Sequence, residues 1–182
     1  MAKKPYVERA LFIVGAQNTG KSTQLRSMFL DWRLGNKGQV PQARNLANTY
    51  LLSNERWLYL RLTSPHEARE TLDQFLKKCA GEISPNASPA RRWNFAGALQ
   101  SIHMDNLPGR PNVIAAFAKH FKPERVRVVI LSPDRAGNVL PIKDFQNFTT
   151  ALRALPAVEI MTADATTRTG NGLMYADFFD FT

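Results

Sequence analysis

Short apolar runs alternate along this chain with longer stretches in which apolar residues recur every three or four positions. Leu11-Phe12-Ile13-Val14 is apolar throughout, as a buried parallel strand is. Trp57-Leu58-Tyr59-Leu60-Arg61-Leu62, Val126 to Leu131 and Val158 to Met161 read as three more strands. Arg61, among apolar neighbours, puts the second strand nearer an edge than the first. Leu25, Met28, Phe29 and Trp32 form the first helical stripe, and Leu46, Ala47, Tyr50 and Leu51 a weaker one. Ser64-Pro65-His66-Glu67 predicts a capped helix start, followed by an apolar face of Ala68, Leu72, Phe75, Leu76 and Cys79. Ser88-Pro89 repeats the cap-then-proline start ahead of Phe95, Ala96, Leu99 and Ile102. Asn106-Leu107-Pro108-Gly109 breaks that helix, and Val113, Ile114, Phe117, Ala118 and Phe121 carry the next. Ile142, Phe145, Phe148, Leu152 and Leu155 give another, and Phe178-Phe179 suggests a short closing strand.

The pattern predicts a three-layer α/β fold, with a mainly parallel sheet of about four to five strands and helices on both faces. Two consecutive helices with no strand between them make a helical excursion over 88–121, placed to serve as a lid. The linker Ser84 to Pro89 is too short to divide the chain, so residues 1–182 read as a single domain.

The loop after the first strand carries the chemistry. Gly15-Ala16-Gln17-Asn18-Thr19-Gly20-Lys21-Ser22 fits G-x-x-x-x-G-K-[ST] without a gap, between a strand and a helix. A polyphosphate needs several donors converging on its oxygens. Gly15 and Gly20 let the backbone curl closely around the anion, and the N–H groups from Asn18 to Ser22 then form a nest. Lys21 is placed to reach the β- and γ-phosphates, Ser22 to ligate Mg2+, and Thr23 to touch the α-phosphate.

Through Gly15, Gly20, Lys21 and Ser22 the chain resembles the P-loop NTPase superfamily, over roughly its first 30 residues. The resemblance implies an Mg2+–nucleoside triphosphate ligand and an acid at the end of a neighbouring strand that holds the metal's waters. Ligands in open α/β sheets bind beyond the carboxyl ends of the strands, which selects Thr63, Ser64, His66, Ser132, Asp134, Arg135, Thr162 and Asp164. Asp134 follows an apolar run and opens Asp134-Arg135-Ala136-Gly137, a D-x-x-G form; it serves either as the metal's acid and a catalytic residue or as a turn residue. Asp164 is the alternative acid. Glu67 reads as a cap rather than a catalytic base, and His66 as an exposed histidine. Arg91, Arg92 and Arg110 flank the excursion, where an arginine would reach transferring phosphates.

Composition narrows the field. No apolar stretch is long enough to span a membrane. The single cysteine, Cys79, excludes an internal disulfide, suits a cytoplasmic setting and reads as a core residue. The net charge of +9 suits anionic partners. Nucleotide phosphates meet part of it, and any nucleic-acid contact would be non-specific, because the cations are dispersed and no stacking platform is visible. No protein partner is legible. N-K-x-D is absent, which favours ATP over GTP. G-x-S-x-G, H-E-x-x-H and the ABC signature are absent too. Three functions fit: an NTP hydrolase coupled to a partner or conformational change, a phosphotransferase (kinase) acting on a small acceptor, and a nucleotide-responsive binding module with little turnover.

Overall fold

The computed structural model describes residues 6–43, 45–83, 92–100 and 110–181, the side chains of 110 and 111 excepted. The segments expected as the 84–89 linker and the 106–109 helix break, together with Arg91, Ile102 and His103, lie outside the described residues.

Six strands form one sheet: β1 (Tyr6–Gly15), β2 (Thr49–Ser53), β3 (Arg56–Arg61), β4 (Arg92–Gln100), β5 (Arg125–Leu131) and β6 (Val158–Ala163). Their order is β2-β3-β4-β1-β5-β6, and every neighbouring pair is parallel except β2 with β3. One face carries α2 (Leu72–Glu82), α3 (Arg110–Phe121) and α4 (Ile142–Arg153). The other carries α1 (Lys21–Ser27), two 3-10 turns (Met28–Leu30 and Trp32–Leu34) and α5 (Gly172–Ala176). Alternation along β1 feeds both cores. Phe12 and Val14 enter the first, among Phe95, Phe117 and Ile130; Leu11 and Ile13 enter the second, among Leu25, Met28 and Tyr175.

Two expected helices are not helices, and a third begins later than expected. Phe95, Ala96 and Leu99 belong to β4, so a strand stands where the 88–121 excursion was expected to begin. Trp93, Phe95 and Leu99 line one core and Ala96 and Ala98 the other, a period of two that the helical spacing mimicked. The small side chains of Ala96 and Ala98 keep that second side of β4 low enough for α1 to lie across it. Among the described residues of that excursion, only α3 is a helix. Tyr50 and Leu51 lie in β2, where Leu52 is buried, Leu51 is 53% exposed, and the Tyr50 ring packs on Phe29 at 4.9 Å. Among the described residues the sheet therefore has six strands rather than four or five.

The third case is Ser64 to Glu67. Both capping-box bonds form: Glu67 N–H donates to Ser64 Oγ at 3.2 Å, and Ser64 N–H to Glu67 Oε2 at 3.1 Å. They close a turn instead of a helix. The helix begins one step later with a second capping box, in which Gln74 N–H donates to Thr71 Oγ1 at 3.2 Å and Thr71 N–H to Gln74 Oε1 at 2.8 Å.

Two smaller expectations also shift. Trp32 is 75% exposed, because α1 stops at Ser27 and the tighter 3-10 turns rotate the i+7 position outward. Phe178 and Phe179 form no strand; they follow α5 and bury their rings in the second core. Among the described residues no helix is long and apolar enough to cross a membrane.

Candidate functional site

The strands β1, β3, β4, β5 and β6 run parallel, so their carboxyl ends share one edge. Gly15 closes β1 there, and the loop Ala16 to Gly20 returns the chain into α1. Asn18 (φ 62°) and Gly20 (φ 94°) both take left-handed backbone. Asparagine tolerates that conformation and glycine adopts it freely. The Thr19 hydroxyl donates to the Ala16 carbonyl at 2.8 Å, and the Lys21 ammonium donates to the same oxygen at 2.6 Å. A Cβ on Gly15 would stand 2.4 Å from Thr19 Oγ1, so the curl closes only without a side chain at that position. The first intrahelical bond runs from Gln24 N–H to the Gly20 carbonyl at 2.9 Å. The N–H groups of Lys21, Ser22 and Thr23 precede it and have no acceptor within the helix.

Beside the loop is a narrow cavity of about 70 Å3, lined by Asn18, Gly20, Lys21, Ser22, Leu62 and Glu67. Lys21 is only 4% exposed. Burial pushes its pKa down, and the negative charge of Glu67 pulls it partly back. Ser22 is exposed and Thr23 half-buried. Glu67 belongs to the turn that follows β3, a strand separated from β1 by β4. It therefore caps its own turn and also presents a carboxylate to the cavity that holds the Lys21 ammonium. By sequence Glu67 reads only as a cap. The strand order that carries it to the glycine loop is a long-range property that no local pattern signals.

The loops after β5 and β6 approach from the other side. The Arg135 N–H donates to the Thr19 carbonyl at 3.2 Å, and a Cβ on Gly20 would stand 3.3 Å from the Arg135 Cβ. Asp134, beside it, spends its carboxylate within its own loop. Oδ1 accepts from the N–H groups of Ala136 at 2.8 Å and Asn138 at 2.9 Å, and Oδ2 accepts from Asn138 Nδ2 at 3.2 Å. Partial burial would raise its pKa, but the hydrogen bonds from Asn138 and Ala136 outweigh that and hold it low. The D-x-x-G spacing has a local use: Gly137 (φ 86°) donates its N–H to the Asp134 carbonyl at 2.9 Å, closing a turn. Asp164 is similar. Its Oδ1 accepts from the Thr166 N–H at 2.8 Å and hydroxyl at 2.6 Å, and these bonds lower its pKa.

Other residues singled out from sequence are dispersed. His66 is buried at 2% exposure rather than exposed. Arg92 stands at the opposite end of β4, 3.8 Å from Glu8. Cys79 is a core residue, as expected, and burial pushes its thiol up to about 12. No group of three or more His, Cys, Asp or Glu residues able to hold a metal occurs among the described residues. Magnesium asks less than that, since it keeps several waters and needs one or two protein oxygens. The Ser22 hydroxyl and the Glu67 carboxylate, on one cavity, form a donor set of that kind.

No family model matches the chain, and no curated protein is significantly similar to it.

Proposed function

We propose that this chain is a P-loop nucleoside-triphosphate-binding protein that binds Mg2+–ATP and cleaves its γ-phosphate. One observation carries the reading. A tightly curled glycine loop leads from a central parallel strand into a helix, and a buried lysine and a glutamate whose charge it feels both line the cavity beside it. In the free protein the ammonium rests on the Ala16 carbonyl. Phosphate oxygens are stronger acceptors for a charged donor, so a triphosphate in the loop takes over that role. Gly15, Asn18, Thr19 and Gly20 shape the cradle, Lys21 compensates β/γ charge, and Thr23 borders the α-phosphate. Mg2+, when bound, neutralises charge between the β- and γ-phosphates; Ser22 would hold it, with Glu67 reaching its waters. We assign that acidic role to Glu67, which lines the cavity at Lys21 and Ser22, in place of Asp134 and Asp164, which do not line it.

The nucleophile is water in a hydrolase and an acceptor hydroxyl in a phosphotransferase. A large cleft that shares a wall with the cavity favours the acceptor. Titration calorimetry tests the core of the reading. Hydrogen bonds to charged groups are worth roughly 1.5–3 kcal/mol, so Lys21→Ala is expected to weaken Mg2+–ATP binding about tenfold to a hundredfold. Equal affinity for both proteins overturns the assignment. Ser22→Ala is expected to weaken binding in Mg2+ more than in EDTA; an equal loss in both removes Ser22 from the metal.

A further inference from the structure

Between the 45–48 segment, the upper edge of β3 and α2 lies a cleft of about 770 Å3. That is within the size range of small-molecule sites, about 300–1,000 Å3. Leu62 lines both this cleft and the cavity at Lys21 and Ser22. Ala68 lines the cleft and directly follows Glu67, which lines the cavity. The turn from 62 to 68 is thus a thin partition, with the glycine loop on one side and the cleft on the other.

The charges of the cleft are balanced internally. Arg61 is ion-paired to Glu70, both of them buried, and Lys78 Nζ meets the other Glu70 oxygen at 2.5 Å. The Arg61 Nε also donates to the Thr63 carbonyl at 3.1 Å. With Glu82 the lining holds two cations and two carboxylates, and no net charge is left to attract an ionic ligand. Asn45 and Asn48 supply amides that both donate and accept, while Leu46 and Leu60 provide apolar surface. A neutral compound with hydroxyl groups and a flat, weakly polar ring matches this lining. A phosphorylated or carboxylated compound would find every cation already engaged.

We propose that this cleft binds a neutral, hydroxyl-bearing ring compound of nucleoside size as phosphoryl acceptor. The proposal rests on the ATP-binding reading above. The acceptor's hydroxyl reaches past Leu62 toward the γ-phosphorus. Its oxygen forms the new P–O bond as the bond from the γ-phosphorus to the β–γ bridging oxygen breaks. That electron pair leaves with ADP, and the hydroxyl proton passes to the Glu67 carboxylate. Phosphoryl donor and acceptor together account for every atom, and no oxidant or reductant is required.

The test incubates the full chain with Mg2+ and γ-labelled ATP, offering in turn each common ribonucleoside and deoxyribonucleoside and a set of hexoses. Label is expected in at least one of them, with ADP forming about tenfold faster in its presence. Ala47→Trp, which fills the cleft, and Asn45→Ala are each expected to raise the acceptor KM by about tenfold. Glu67→Gln is expected to lower the transfer kcat by about a hundredfold. Transfer to none of the compounds, or transfer indifferent to both cleft variants, overturns the proposal. Wild-type ATP affinity and its dependence on Lys21 are measured on the same preparations. If they hold while transfer fails, the acceptor cleft alone falls; if they fail, the nucleotide reading falls with it.

Discussion

Lys21 spans the step from burial to a measurable pH response. Its pKa is depressed from 10.5 because the ammonium is desolvated, with only Glu67 opposing that effect. A bound triphosphate restores a counter-charge and raises it again. Between the free and bound values, binding must take up a proton. ATP affinity is therefore flat below the free-state pKa and falls as pH rises through it, beginning below the pH at which an ordinary lysine titrates. Calorimetry in two buffers of different ionisation enthalpy is expected to show proton uptake growing with pH; no uptake at any alkaline pH removes Lys21 from the phosphates. Asp134 yields the opposite kind of expectation. Asparagine retains the oxygen that accepts the two backbone bonds, so Asp134→Asn leaves phosphate release nearly unchanged, and a collapse of turnover would return the acid's role to Asp134. The glycine loop was legible residue by residue because its requirements are local: two glycines, a lysine and a hydroxyl at fixed spacing. Glu67 was legible only as a cap, since Ser64 and Glu67 do make both bonds of that motif.

At the scale of elements, close approach decides more than propensity. A Cβ on Gly172 would stand 2.1 Å from the Ser27 carbonyl oxygen, so α5 touches α1 backbone to backbone. Gly172→Ala is expected to destabilise the fold by about 1–3 kcal/mol, read as a lower urea midpoint with unchanged slope. An unchanged midpoint would mean that α5 is not docked as described. The same logic explains why β4 escaped detection. Its Ala-Gly-Ala run has little intrinsic strand preference and was set in the sheet by neighbours on both sides, Leu11 against Ala96 and Leu60 against Ala96 among them. β2 likewise owes its form to antiparallel pairing with β3. By contrast β1, β5, α3 and α4 announce themselves, because long apolar periods leave one reading.

Across the whole molecule, alternation of strand and helix gave away the layers, whereas strand order depended on contacts between segments far apart in sequence. Charge also reads differently once folded. At the amino-terminal edge of the sheet, Glu8 and Asp180 engage Arg9, Arg56 and Arg92, and Glu159 engages Arg125 and Arg127. Much of the +9 excess thus comes from cations outside these clusters. Any contact with nucleic acid is expected to be weak, indifferent to sequence, and steeply lost with salt as counterions are recaptured. Oligonucleotide titrations across a salt series measure this; affinity that survives high salt would reveal a recognition surface of another kind.

The seam between α1 and the segment after β6 ties two distant stretches of chain into one unit. Gln24 donates to the Thr167 carbonyl at 2.8 Å and accepts from Asn171 Nδ2 at 3.1 Å and the Tyr175 hydroxyl at 3.3 Å. Since α1 grows directly out of the glycine loop, whatever steadies that loop also steadies residues 165–176. Ligand occupancy is then readable at a distance. With saturating Mg2+–ATP, opening of 165–176 is expected to cost up to a further RT ln(1 + [L]/Kd), so protease cuts there slow by up to the factor 1 + [L]/Kd, and amide exchange there falls in step with that in the loop itself. A stretch of chain more than 140 positions from the loop in sequence becomes a convenient reporter of its ligand.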